Sequence, residues 1–374
     1  MIALAGARVF DGETTREHAA VLVRDRTVLA IVPEREVPSQ ADLRDLGGGL
    51  LVPGFIDLQV NGGAGVMLND GPSPAAMATI AAAHRPFGTT GLLPTLITDT
   101  AAVTDAAIEA AASAVGTVPG VLGLHLEGPH LAPARKGAHL AELMRPMRDA
   151  DADRLIAAKA RIGVLLVTIA VEQVAPRLVR RLADAGVIVS LGHTDAGYAA
   201  TQAAVDAGAR SATHLFNAMS QLGNRDPGVV GAVLGAGAVA CGIIADGHHV
   251  HPETLRFALA AKRGPGRLYL VSDAMASVGM DGDRFVLNGR TVYRRDGRLT
   301  LGDGTLAGAD IDMAATVRYA AANLGLGLEE VLRMASRYPA ELIGDTRRGR
   351  IWRGAFAEFV HLDDELSVRG VVAT

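Results

Sequence analysis

The sequence holds a single cysteine, Cys241, among 374 residues. No intrachain disulfide can form, and the apolar neighbours of Cys241 suit a buried, inert thiol; this fits a cytoplasmic protein. Aromatic residues make up only 4% of the chain, and its net charge of −4 includes no basic block. The chain therefore offers neither a stacking platform nor a phosphate-backbone footprint, and nucleic acid is not an expected partner. Long hydrophobic runs are also missing. The longest apolar and small-residue stretch, Ala232 to Ala245, is short and broken by glycine, and the opening MIALAGARVF has no charged segment leading into an apolar one. The expectation is a chain that neither spans nor is anchored to a membrane. What is abundant is apolar content, 49% against 20% charged, enough for one large core plus a small accessory unit.

That content is ordered along the chain. Short apolar runs, LLVPGFIDLQV, TGLLPTL, VLGLHLE, VLLVTIA, VIVSLGH, SATHLF, VACGIIADG and LYLVSD, alternate with Ala-rich amphipathic segments such as Pro74 to Phe87, Ala101 to Ala114, Val174 to Ala185, Ala196 to Ala207 and Pro252 to Lys262. Eight strand–helix units that close on themselves make an α/β fold, a distorted (β/α)8 TIM barrel over residues 50–347. Residues 1–49 and 348–374 read as short strands too few to fold alone, and they are expected to pair into one small β-sandwich beside the barrel. Residues 281–308 depart from the alternation. Their AsnGly and AspGly turns between alternating runs signal a hairpin insertion after the eighth strand, placed to overhang the barrel mouth.

The chemistry concentrates at strand ends. Glu127 in HLEGPH, His193 in VSLGHTD and His214 in ATHLFNAM each close an apolar run. Side chains so far apart in sequence meet only if their strands share a barrel, and one carboxylate with two imidazoles suits a catalytic Zn²⁺ site that keeps a position open for water. Asp273 closes the last run, LYLVSD, where a carboxylate can act as general base without ligating the ion. Any one of these residues alone reads as a helix cap or a hydrogen-bonded core group; together on one barrel rim they read as a metal-dependent hydrolase. His125, two residues before Glu127, is expected to support the site from behind, and Asp57 and Asp246 near strand ends are assigned no catalytic part, Asp246 being kept as a structural carboxylate.

PGFIDLQVNGG, LGLHLEGPHL with KGAH, SLGHT, ATHLFNAM, NRDPGVVGAVL, CGIIADGHHVHP, VSDAM and GTLAGA together resemble the N-acetylglucosamine-6-phosphate deacetylases of the amidohydrolase superfamily, from about Leu51 through Gly344. The resemblance implies a distorted barrel with a small β-sandwich and cleavage of the acetamide of N-acetyl-D-glucosamine 6-phosphate. It also implies one divalent metal ion per subunit, Zn²⁺ first and Fe²⁺ or another ion as alternatives, held by Glu127, His193 and His214, with Asp273 as the proton shuttle. His139 of KGAH matches a histidine that contacts substrate and polarises its carbonyl. Asn217, Ala218, Arg225, His249, Leu306, Ala307 and Gly308 match substrate-binding positions, Arg225 and His249 toward the phosphate. A homodimer in which some of that cationic contact crosses the interface is implied as well.

One departure stands out. Where amidohydrolases often place His-x-His after the first strand, this chain has Gln59 and Asn61, and neutral amides are poor substitutes for imidazole at Zn²⁺. They are expected to touch water or the groups around the ligands, in a mononuclear site. Two rival readings remain from the sequence: a related amidohydrolase acting on N-acetylgalactosamine 6-phosphate or another N-acyl amine, and a catalytically inactive binding or scaffold barrel.

Overall fold

The computed structural model describes residues 1–373. Its centre is an eight-stranded parallel sheet in which each strand neighbours the next one along the chain. The strands are β1 (Phe55–Val60), β2 (Thr89–Ile97), β3 (Leu124–Glu127), β4 (Leu165–Ile169), β5 (Ile188–Leu191), β6 (Ser211–Ala212), β7 (Ala240–Ile243) and β8 (Leu268–Leu270). Apart from half-buried Ala240, every residue in them is buried. That is why they read as unbroken apolar runs: a parallel sheet wrapped by helices has no wet face.

The intervening segments become helices because they carry the right ends and one apolar stripe. Helix Pro74–His84 starts with a proline in its first turn, and the Oγ of Ser73 accepts the Ala76 N–H. These are the proline and cap expected at a helix start. Helix Pro176–Asp184 buries Leu178, Val179 and Leu182 while its arginines face outward. Alanines dominate the buried side of Ala101–Ala114, which lets that helix lie close against β3.

The barrel does not close by a ladder. Among the described residues, the segment after β8 meets β1 by a single bridge, between Ala274 and Val60, assisted by Asp273 N–H to the Gln59 carbonyl at 3.1 Å and Asn61 N–H to the Ala274 carbonyl at 2.8 Å. The seam is stitched by a side chain. Fully buried Asp57 accepts the Ser272 N–H at 3.2 Å, the Ser272 hydroxyl, and the Gln59 N–H at 3.2 Å. Its pKa is pushed up to about 7 by burial, even though these donors favour the charged form.

The run Leu50 to Val60 divides in two. Leu50–Pro53 pairs in a five-stranded sheet with strands from both chain ends, and only Phe55 onward enters the barrel. Gly54 sits at the switch, where an added Cβ would fall 2.0 Å from the Thr90 Oγ1. The largely apolar run continues through the switch with only Pro53-Gly54 to mark it, so the barrel begins a few residues later than the run does. The five-stranded sheet faces a four-stranded one across Leu4, Val9, Val21, Val23, Val28, Leu51 and Phe359. This is the sandwich built from both termini.

Residues 284–309 form a four-stranded antiparallel sheet. Its two tight turns hold Asn288 and Gly289 at φ 49° and 73°, and Asp296 and Gly297 at 51° and 71°, the left-handed pairs that a two-residue hairpin turn requires. Its inner face, Phe285, Leu287, Val292 and Leu299, packs on Met67, Ile97 and Met275 at the strand ends. The sheet thus roofs one side of the barrel mouth.

Candidate metal centre and catalytic cleft

At the carboxyl ends of the strands lies a cleft of about 390 Å³, within the size range of small-molecule sites. Glu127, the last residue of β3, meets His193 and His214, which follow β5 and β6. Glu127 Oε1 lies 3.0 Å from His214 Nε2 and 3.3 Å from His193 Nε2, and the two Nε2 atoms are 3.1 Å apart. Ligands about 2.0–2.1 Å from a tetrahedral Zn²⁺ are themselves separated by roughly 3.3 Å. All three side chains are at least 94% buried. Three Lewis-basic atoms this close in a dry pocket fit a divalent ion better than they fit one another.

The local backbone is bent to make this happen. His193, His214 and Asp273 sit at φ 48°, 32° and 52°, and Ala218 at 48°. Non-glycine residues in the left-handed region cost on the order of 1–3 kcal/mol each and persist where surrounding structure holds them. Here that conformation turns each side chain over the barrel rim.

Electrostatics follow from burial and neighbours. Burial would raise the Glu127 pKa, but hydrogen bonds with His193 and His214 outweigh it and hold the carboxylate well below its ordinary range. His214 is opposed by burial and lifted by Glu127, with a net rise. Asp273 is pushed up to about 6 by burial and by the charge of Glu127. It receives Gln59 Nε2 at 3.0 Å and Asn61 Nδ2 at 2.7 Å, and Gln59 also reaches both Glu127 oxygens, at 3.3 and 3.4 Å. The two amides therefore steady the carboxylates.

His139 enters from the 134–139 loop. Its Nε2 lies 3.8 Å from Glu127 Oε2, and its ring centroid 4.4 Å from that of His193. Burial above all depresses its pKa well below the usual value. Glu127, His139 and His193 also form a group able to hold a cation. However, His139 Nδ1 is engaged by Thr98 and its Nε2 stands farther from Glu127 than that of His214, so His214 completes the tighter set.

Asn61, Asn217, Ala218, His249, Leu306 and Gly308 line the same cleft. His249 is oriented by Asp246, whose Oδ2 lies 2.6 Å from Nδ1 while Oδ1 accepts the His248 and His249 N–H groups. Two residues are not brought there. Ala307 is fully buried behind Leu306, packed on the roof sheet. Arg225 sits in an exposed turn outside the cleft of its own chain. His125 points beneath the site, its Nε2 2.7 Å from Thr168 Oγ1, with its pKa lowered to about 4 mainly by burial. Sequence reading passed over Thr98, Asp246 as the partner of His249, and Arg135, which lines the cleft and whose carbonyl accepts His193 Nδ1–H at 2.7 Å. The place of Arg135 four residues before His139 was the one available signal.

Residues 50–373 match the model of the Amidohydrolase family. An N-acetylgalactosamine-6-phosphate deacetylase of Shewanella sp. (strain ANA-3) is 42% identical, with 99% of this chain and 94% of the relative covered. An N-acetylglucosamine-6-phosphate deacetylase of Haemophilus influenzae is 34% identical over 94% of this chain and 93% of its own length. Among solved structures, the N-acetylglucosamine-6-phosphate deacetylase of Pasteurella multocida superposes with a TM-score of 0.95 at 36% identity, covering 100% of this chain and 98% of that one. An aspartate-to-alanine mutant of the Mycobacterium smegmatis enzyme, in complex with N-acetyl-D-glucosamine-6-phosphate, gives 0.92 at 33% identity, covering 100% and 97%.

Proposed function

The chain belongs to the amidohydrolase family, and on that premise we propose that it hydrolyses the acetamide of N-acetyl-D-glucosamine 6-phosphate, giving D-glucosamine 6-phosphate and acetate. The observation that carries this is the convergence of Glu127, His193 and His214 to within 3.3 Å of one another beside buried Asp273. Glu127, His193 and His214 would hold one divalent ion per subunit, Zn²⁺ first for two imidazoles and a carboxylate, with Fe²⁺ or another divalent ion as the alternative. When bound, the ion acts as a Lewis acid toward the acetyl oxygen and makes water more acidic.

The chain's own groups do the rest. Asp273 takes a proton from the attacking water as the new C–O bond forms, then passes it to the amide nitrogen as the C–N bond breaks. His139, neutral at the cleft wall, donates a hydrogen bond to the oxygen that gains charge. Gln59 and Asn61 hold the Asp273 carboxylate through their amide N–H groups. Asn217, Ala218, Leu306 and Gly308 contact the sugar, and His249 the phosphate. With those contacts remote from the amide, binding energy orients the carbonyl. Arg225, exposed and outside its own cleft, serves the phosphate of a second subunit in a homodimer, and the enzyme works in the cytoplasm on amino-sugar phosphates.

A second reading is favoured by one observation: the relative at 42% identity is named for the galacto epimer. Acetate release measured with both epimeric N-acetylhexosamine 6-phosphates and with unphosphorylated N-acetylglucosamine separates the readings. A higher kcat/KM on the gluco phosphate supports the proposal, and a higher one on the galacto phosphate moves the assignment to that epimer. No release from either defeats both.

A further inference from the structure

We propose that Thr98 is a positioning residue that fixes His139 in the tautomer protonated on Nε2, so that its ring presents a hydrogen-bond donor to the cleft. This rests on the deacetylase reading only for what the donor is used for.

Thr98 follows β2 and is 1% exposed. Its backbone N–H lies 3.2 Å from His139 Nδ1, and its Oγ1 lies 2.8 Å from the same nitrogen. A backbone N–H can only donate, so Nδ1 must offer a lone pair. A neutral imidazole has one donor and one acceptor nitrogen; with Nδ1 accepting, the proton is on Nε2. The hydroxyl follows suit, since an Oγ1 that kept its proton away would set two lone pairs against each other at 2.8 Å. Thr98 thus turns both of its donors on one atom. Hydrogen positions inferred in this way rest on network logic, and here one member of the network admits a single role.

The position of that hydroxyl is reserved. A Cβ added to Gly128 would fall 2.2 Å from Thr98 Oγ1, and Gly128 lies at φ +98°. The residue after Glu127 must therefore be a glycine for Thr98 to reach His139. Thr98 Oγ1 also lies 3.4 Å from the Glu127 carbonyl, so one residue touches both the strand of Glu127 and the ring of His139.

His193 shows the opposite arrangement. Its Nδ1 faces the Arg135 carbonyl at 2.7 Å; a carbonyl only accepts, so Nδ1 carries the proton, and in the neutral ring Nε2 is left with the lone pair that a cation would take. Neighbouring rings, 4.4 Å apart, are sorted by a backbone amide on one side and a backbone carbonyl on the other. One becomes a donor and the other a ligand.

The direct test is a long-range ¹H–¹⁵N correlation spectrum of zinc-loaded, ¹⁵N-histidine-labelled protein, with the His139 signals assigned through His139→Gln. The expected result is a protonated Nε2 and a bare Nδ1 for His139; a protonated Nδ1 overturns the proposal. The second arm is kinetic. Thr98→Val keeps the shape and removes the hydroxyl, and kcat is expected to fall about tenfold, the equivalent of one hydrogen bond, with KM within about twofold and zinc content unchanged. Thr98→Ser is expected to restore most of kcat. Parental kcat in Thr98→Val, or no recovery in Thr98→Ser, overturns the positioning role. If the parent protein releases no acetate, the deacetylase reading fails, and the spectrum still decides the tautomer.

Discussion

Glu127 and Asp273 share one cleft floor, yet their surroundings push their proton affinities apart: two imidazoles hold Glu127 low, while burial and the Glu127 charge lift Asp273 to about 6. Such separation supports the proposed division of two like carboxylates into a ligand and a base. Asp273→Asn is expected to keep its metal, read by elemental analysis, while turnover drops by about 10²- to 10⁴-fold, the usual worth of a positioned general base. Full turnover in that variant removes Asp273 from the reaction. A cation at the centre stabilises the Asp273 carboxylate further, so the acid limb of kcat/KM is expected at or below about pH 6; an acid limb well above that points to a different base. Glu127→Gln loses the one anionic donor of the set, and the purified variant is expected to carry far less metal than the parent. Glu127, His193, His214 and Asp273 were legible in the sequence because each ends an apolar run, and a parallel barrel sends such ends to one rim. Thr98 was not, because a threonine after a strand has no distinguishing pattern until its partner, 41 residues on, is seen beside it.

At the scale of elements, the roof sheet and the barrel seam position the site. Arg290 in the roof donates to the Ala138 carbonyl, one residue before His139. Arg290→Ala is expected to lower kcat/KM about tenfold, because the loop that carries His139 loses the charge-assisted hydrogen bond that holds it, with metal content unchanged. Unchanged kinetics separates the roof from the cleft. Asp57 at the seam carries the stability prediction. Its folded pKa of about 7 exceeds the ordinary aspartate value of about 3.9. Between roughly pH 4 and 7 the folded chain therefore holds a proton that the unfolded chain has lost, and stability falls as pH rises through that window. Asp57→Asn is expected to flatten that slope, measured as melting temperature from about pH 5 to about 7.5; a variant with the parent's slope contradicts it. The hairpins were legible from Asn288-Gly289 and Asp296-Gly297, since few residue pairs tolerate the required φ. The handover from sandwich to barrel at Gly54 was not, because the run stays largely apolar across Pro53-Gly54 and the close packing of Gly54 on Thr90 involves a residue distant in sequence.

At the scale of the molecule, the alternation of apolar runs with amphipathic segments was enough to specify a barrel, because each run is buried on both faces and each helix on one. The outer sandwich was legible as a class but not in its pairing, where Leu50–Pro53 joins strands from both termini. Arg225 belongs to this scale too: if it serves a neighbouring subunit's phosphate, Arg225→Ala is expected to raise KM for the sugar phosphate about tenfold while leaving kcat and metal content near the parent's, as loss of one charged contact would. Sedimentation is expected to show a dimer, and a monomer with unaltered KM dependence on Arg225 argues against a shared site. The central claim is that the reaction needs a cation held by Glu127, His193 and His214. The most direct measurement is acetate release from protein stripped of every divalent ion and then titrated with Zn²⁺: turnover should vanish on stripping and return in proportion to the ion bound, saturating at one per chain, whereas full turnover by the metal-free protein would contradict the mechanism.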